Sequence, residues 1–490
     1  MYNEKECVQL NEKSIVNMRE KWELISKKFR DFTKTTYFII MLSLLTLFSY
    51  FMDITAIGYI SFTVILFILL LFDCDFRSFI PMIFLWFGGY RTNTWQIPSA
   101  PFVIVLIIYG LDLGLFIYRI IKNYKIYWKR IKKDFLLYSL FAILITMVLS
   151  LINTPDMELS GLGIAHYVII LLSYLLVKMT VEPTEKSRNY IIKSILITGL
   201  MISVQAFYIL LIALNNGEDF YEVLCHRDLN LGYMHPNHYA AFLNIGCILA
   251  VYYFCKNRDS IFKRIVATTC ILIFGFTNML TASRGGCLTF AITFVCAAVV
   301  YFVYNIKIMK YSMVKDLFYL IPFVVVGIIG MIVLSADGIL SDVFARMTEY
   351  GPALNGRDAL YRIAVDNFNK HTIIGAGVYT THLYNYAWNY HNYALQMLGT
   401  CGALGLIAFL TYLYFSIVKS LRWRSYSVFN LLVIMYFLIH GLFDTMYFHH
   451  LLMPIILVLQ AVEHEKEDIN LFEIQYSDIL MKNDYPLVEL

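Results

Sequence analysis

Three arginines and a group of histidines are the residues of this chain best suited to chemistry. Arg284 stands in Thr281-Ala282-Ser283-Arg284-Gly285-Gly286, a turn between two apolar runs where basic residues are otherwise scarce. A charge so placed is a functional candidate by default, with snorkelling to the interface as the plainer alternative. Arg357 falls in the first turn of an expected amphipathic helix over 355–370, with Asn355 as N-cap and Asp358 three residues on. The helix dipole disfavours a cation there. A bound anion would reverse that, because free backbone N–H groups and a guanidinium both suit phosphate; a solvated or salt-bridged arginine is the equal alternative. Arg362 lies four residues from both Asp358 and Asp366, so an ordinary helix ion pair explains it more simply.

Of eleven histidines, His226, His235, His238, His371, His382, His391, His449 and His450 fall in loops or helix ends on one side of the bundle. Any neutral imidazole among them can take a proton near neutral pH and so serve as a general base. A metal site from His235, His238 and the His449-His450 pair lacks an HExxH or paired-carboxylate pattern to complete it. Neither a metal nor another cofactor is therefore expected.

The elements that must position these residues are membrane helices. The chain has 490 residues, 59% of them apolar and 15% charged, with a mean hydropathy of +0.64. A soluble domain carries about 25% charge. Apolar runs over 36–52, 54–72, 78–90, 99–118, 134–152, 164–181, 190–213, 238–255, 264–281, 286–304, 316–335, 394–418, 427–445 and 449–463 lack strand alternation and suit helices crossing a core of about 30 Å. The expected fold is an all-α, polytopic transmembrane bundle of about 12–14 spans, the short runs 78–90 and 449–463 being candidates for re-entrant segments.

Lysine and arginine alternate between the loops. The first 35 residues, with eight Lys or Arg and no pattern of a secretory signal, and the loops at 122–133, 256–264, 305–315 and 419–424 are basic, whereas 153–163, 214–237 and 446–448 are nearly free of them. The positive-inside rule then puts both termini in the cytoplasm. The expected layout is a cytoplasmic tail 1–35, a bundle 36–335, one large extracytoplasmic loop 336–390 holding the amphipathic helix, further spans over 391–463 and a tail 464–490. The net charge of +4 describes topology, so no nucleic-acid partner is expected. Most of the nine cysteines lie in apolar runs and none forms a CxxC pair, which argues against a disulfide framework. Neither a buried charge pair nor matching broken helices are evident within the spans, which argues against a transporter.

Five short motifs recur in a recognisable order: Ser283-Arg284-Gly285, Gly356-Arg357, Gly375-Ala376-Gly377, His391-Asn392 and Gly402-Ala403-Leu404-Gly405, preceded by His235-Pro236-Asn237. Together, over roughly 225–415, they make the chain resemble the O-antigen ligase/polymerase superfamily, membrane glycosyltransferases of bacterial surface-polysaccharide assembly. The resemblance implies metal-independent transfer of a glycan from an undecaprenyl-diphosphate-linked donor at the outer face of the cytoplasmic membrane. It implies His391 as general base on the acceptor hydroxyl, with Arg284 and Arg357 on the donor diphosphate. Arg227, His235, Asn237, Asn392 and Arg362 are further candidates for the substrate groove. Thr372 replaces a common proline, and Thr400 stands where many members carry an acidic residue, so no partner that would orient His391 is identified. The implied activity is a polymerase of capsule, exopolysaccharide or O-antigen repeat units. A ligase moving finished glycan to lipid A core or a wall acceptor, or a non-enzymatic flippase, are the alternatives. The implied partners are the lipid-linked oligosaccharide, an acceptor glycan, membrane lipid, and flippase and chain-length regulator proteins.

Overall fold

The computed structural model describes residues 20–85, 99–217, 236–303, 357–379, 389–421, 425–449 and 452–463, except 258 and 282, with a few isolated positions besides. All elements among them are helical. The first group is α1 (Glu20–Thr33), α2 (Thr36–Phe51), α3 (Thr55–Leu71), α4 (Ile80–Leu85), α5 (Ser99–Lys122), α6 (Tyr124–Ile131), α7 (Phe135–Leu149), α8 (Met157–Thr180) and α9 (Glu185–Asn215). The second is α10 (Pro236–Lys256), α11 (Ile261–Leu280), α12 (Arg284–Val303), α13 (Arg357–Lys370), α14 (Tyr393–Ser420), α15 (Ser425–His440) and α16 (Met453–Ala461).

Six of these, α7 with the turn that follows it, α8, α9, α10, α11 and α14, are long and apolar enough to cross a membrane; the pair α1–α2, bent by 75°, would make a seventh. The chain is thus a multi-pass, all-helical membrane protein. The expected run 316–335 lies largely outside the described residues. Of the two short runs, α4 has six residues and α16 has nine, with every residue of α16 buried. At about 1.5 Å per residue neither crosses a bilayer, and both lie inside the protein.

Side-chain caps mark many helix starts. Asp134 accepts from the Leu137 N–H, Asp156 from Leu159, Thr184 from Ser187 and Ser260 from Lys263, each satisfying a backbone donor that the first turn leaves free. Helix α10 is the centre of the bundle: 78% of its apolar window is buried, and it packs on α9, α11, α12 and α15. The Phe274 ring of α11 fills the space left by Gly199 of α9 and Gly246 of α10, a small-against-large fit that draws three helices together. Outward faces stay apolar, as at Leu211, Phe262 and Ile407, which suits lipid.

The two ends of the bundle differ in charge. One end gathers Lys178, Arg188, Lys256, Lys263 and Lys419, with ion pairs Arg130–Glu182 and Lys256–Glu185. The starts of α10, α12 and α14 and the end of α15 meet at the other end, close to α13. There are buried charge pairs in this fold, which corrects the reading from sequence: Lys178 meets Asp134 at 3.3 Å, and His391 meets Asp444 at 2.8 Å. Their partners come from different helices, so no local pattern announces them.

Candidate active site

The site grows out of the start of α14. Asn392 caps that helix, accepting from the Ala394 and Leu395 N–H groups. Before it, Tyr390 is fully buried; its N–H donates to Gln396 Oε1 at 2.9 Å and its hydroxyl accepts from Asn367 of α13 at 2.8 Å. After it, the Tyr393 N–H donates to the Gly441 carbonyl at 2.9 Å. His391, between these anchors, is held at φ +52°, the left-handed region that non-glycine residues seldom adopt and that clusters at functional sites.

That conformation turns His391 toward Asp444, just beyond the end of α15. Nδ1 lies 2.8 Å from Oδ1; the Asp444 side chain is 6% exposed and that of His391 is 22% exposed. Asp444 Oδ1 also accepts from the Thr445 N–H at 2.8 Å, and Oδ2 from Asn237 Nδ2 at 2.7 Å. Burial would raise the Asp444 carboxyl, but the hydrogen bond and charge of His391, aided by His238 and Asn237, hold it well below the usual carboxylate range. An ionised carboxylate only accepts, so His391 Nδ1 carries the proton of this bond. Nε2 makes no hydrogen bond among the described residues.

The other charges come from α12 and α13. Ser283 is the N-cap of α12, its hydroxyl accepting from the Gly286 N–H at 3.1 Å, and Arg284 is the first helical residue. A methyl group on Gly285 would press on the Phe443 side chain, next to Asp444. The Arg284 turn therefore packs directly on the segment carrying the carboxylate. Its side chain lies outside what is described. Arg357 is the first residue of α13, half-buried, with no ion pair among the described residues. The Tyr361 hydroxyl is within electrostatic range of both Arg357 and Asp444, and His440 is within range of Asp444, His238 and Arg357.

The remaining sequence candidates divide. Arg362 is 79% exposed and pairs with Asp358 at 3.2 Å. Asn392 is occupied as a cap, with a weaker bond to the Leu442 carbonyl, and Asn237 is buried between Asp444 and Ser283; neither offers a free amide to a groove. The His238 and His449 rings lie against each other at a tilt of 47°, with centroids 3.7 Å apart. Arg227, His226, His235, His382, His450 and Asn355 lie outside the described residues.

A second feature braces the site from below. Helix α14 is broken at Gly402, which adopts φ +67°. The break frees backbone groups that lipid could not satisfy, and the segment from Thr372 to Gly377 takes them up. Ala376 and Gly377 donate to the Gly399 and Thr400 carbonyls; Ala403 and Leu404 donate to those of Thr372 and Ile373. A side chain on Gly375 would collide with the Thr400 carbonyl, and one on Gly402 with that of Ile373. Gly402 of α14 thus seats the loop after α13, while Gly399 packs against Tyr390 and Ala364 of α13. From the N-terminal half, Asn153 binds the Gly375 carbonyl at 3.0 Å and Ser160 that of Val378 at 2.8 Å.

Residues 268–410 match the family model described as O-antigen ligase. The match covers less than a third of the chain; it agrees with the resemblance to the O-antigen ligase/polymerase superfamily and supports glycan transfer of that general type. No curated protein matches the chain. The matched segment holds Arg284, Arg357 and His391, whereas Asn237 and Asp444 lie to either side of it. Asp444 is the residue that sequence reasoning missed. An aspartate closing the apolar run 427–445 was its only signal, of the kind that marks an ionisable group at membrane depth. It supplies the acidic partner that Thr400 lacks.

Proposed function

We propose that this protein is a polymerase of the O-antigen ligase/polymerase superfamily, joining undecaprenyl-diphosphate-linked repeat units into a surface polysaccharide. The observation that carries the reading is the His391–Asp444 pair at the mouth where the Arg284 turn and Arg357 converge. His391 Nε2 takes the proton from an acceptor sugar hydroxyl as its oxygen attacks the anomeric carbon of the donor. The bond from that carbon to the diphosphate oxygen breaks, and the lipid diphosphate leaves as an anion. Asp444 stabilises the imidazolium as it forms, and Arg357 and Arg284 stabilise the leaving charge. A well-stabilised leaving group needs no general acid, so a single base suffices and no metal takes part.

The concentration of lysine and arginine at the opposite end of the bundle supports an outward-facing site in the cytoplasmic membrane, with both termini inside. The donor's lipid tail would lie in the bilayer and its glycan outside, where the acceptor is.

The test is transfer by the purified protein with lipid-linked repeat units. His391→Ala should abolish product while the protein stays folded, and chelators should leave activity intact; a fully active His391→Ala would instead favour a transporter. In cells lacking the protein, single repeats on lipid are expected. Long lipid-linked chains would show a ligase instead.

A further inference from the structure

Asp444 has two oxygens, and the one turned away from His391 is held by Asn237. We infer that Asn237 is a positioning residue for the transfer reaction, locking the His391–Asp444 pair and tying it to the turn that carries Arg284. The inference rests on the transferase reading above and concerns a residue outside the matched segment.

The connection is a continuous chain of short hydrogen bonds. Ser283 Oγ donates to Asn237 Oδ1 at 2.7 Å, Asn237 Nδ2 donates to Asp444 Oδ2 at 2.7 Å, and Asp444 Oδ1 accepts from His391 Nδ1 at 2.8 Å. Ser283, Asn237 and Asp444 are all buried, so water does not compete for these bonds. Chemistry fixes the direction of each link. An ionised carboxylate only accepts, so the amide nitrogen must face Asp444 and the amide oxygen must face the serine. The Ser283 oxygen already accepts from the Gly286 N–H, which leaves its proton to donate to Asn237.

Only a carboxamide of this length meets both demands. Aspartate would set two carboxylates together, and an apolar side chain would strand Asp444 Oδ2 and the Ser283 hydroxyl. The Ser283 hydroxyl also caps α12, whose first residue is Arg284. One buried unit therefore sets the orientation of the base and the start of the helix bearing a donor-binding arginine. This explains why a Ser-Arg-Gly turn and a Pro-Asn step on another helix belong to one site.

Removing the amide frees Asp444 to turn and leaves its charge less shared, so it holds the proton on His391 more firmly. The acid limb of the pH–rate profile should then move to higher pH. Among the described residues, the other titratable or charged groups facing the pair are His238 on α10, Arg357 and Tyr361 on α13, and Tyr436 and His440 on α15, with His449 against His238. All are retained in the variants below.

The experiment is steady-state transfer by the full-length protein, with lipid-linked repeat units as probe. Asn237→Ala should lower kcat by about 10- to 100-fold, by analogy with the hydrogen-bond partners that orient metal-bound histidines, and displace the acid limb upward. Ser283→Ala should cost less in kcat and raise the donor KM, because it also uncaps α12. Asn237→Asp should be worse than Asn237→Ala, and the exchange Asn237→Asp with Asp444→Asn should recover part of that loss by restoring the bond in the opposite sense. Asn237→Ser, which cannot reach both partners, is read the same way should the alanine variant fail to fold. Wild-type kcat and an unchanged pH profile in Asn237→Ala, with His391→Ala inactive, would overturn this inference alone. Activity in His391→Ala would sink the transferase reading and this inference with it.

Discussion

Asp134 and Asp444 sit at opposite ends of the bundle, each a buried carboxylate with partners from other helices. Around Asp134 the partners are the Leu137 N–H at 3.0 Å, the Tyr174 hydroxyl at 2.8 Å and Lys178 at 3.3 Å. Burial would raise its carboxyl, yet Lys419 first and then Lys178, with Tyr174, hold it below the usual value. Around Asp444 the charged partner is an imidazole. A lysine keeps its proton through any transfer and has no second functional atom, whereas a histidine gives and takes one near neutral pH and presents Nε2 to a substrate. Burial and a depressed carboxyl are common to both sites, so they do not mark function. What distinguishes them is a titratable partner with an accessible second face.

The sharpest way to break this contrast is Asp444→Asn, which keeps the shape but favours the wrong tautomer of His391. A loss of about 10⁴-fold in kcat is expected, as where a catalytic histidine loses its carboxylate, read as product formed per folded protein; a loss under tenfold would put Asp444 on the same footing as Asp134. Next in size, Arg357→Ala should lower kcat/KM by about 10²–10³-fold, the range for a lost charge stabiliser, with a charge-neutral membrane lipid background to keep donor partitioning equal. If it behaves as wild type, the diphosphate is held elsewhere.

Asp134→Ala should act in the opposite sense. It leaves Lys178 without its buried partner and uncaps α7, costing about 3–5 kcal/mol of stability, while kcat of the surviving folded fraction stays near wild type. Thermal melting beside turnover separates the two effects. The carboxyls of both Asp134 and Asp444 are lowered in the folded protein. Their stabilisation is therefore complete above the unfolded carboxyl pKa and is lost as pH falls through the folded values, so melting temperatures should decline below about pH 4 and not between pH 5 and 8 on their account. Arg362→Ala is the smallest change: its exposed i,i+4 pair with Asp358 should shift neither activity nor stability beyond about 0.5 kcal/mol.

Much of the scaffold was legible because a membrane makes hydropathy nearly sufficient. The expected runs 36–52, 54–72, 264–281 and 394–418 fall on α2, α3, α11 and α14 to within a few residues. Helical phasing puts Leu360, Ile363, Ala364 and Phe368 on one face of the helix ending at Lys370; the structure buries Leu360 and Ala364 and half-buries Ile363 and Phe368. The break in α14 was not legible, since its residues are as apolar as an unbroken span; a single φ at Gly402 and the loop seated there create it.

The sequence by itself determined a polytopic helical protein, the family motifs and the shortlist of Arg284, Arg357 and His391, because period, composition and charge bias are local properties of a chain in lipid. Only the tertiary structure decided which histidine has a carboxylate, and that the carboxylate is Asp444, 53 residues further on. Only the tertiary structure, too, took Asn237 from a candidate groove residue to the link between Asp444 and Ser283. The physical reason is that a buried carboxylate must find donors wherever the packed helices bring them, and helix ends distant in sequence meet at one face of the bundle.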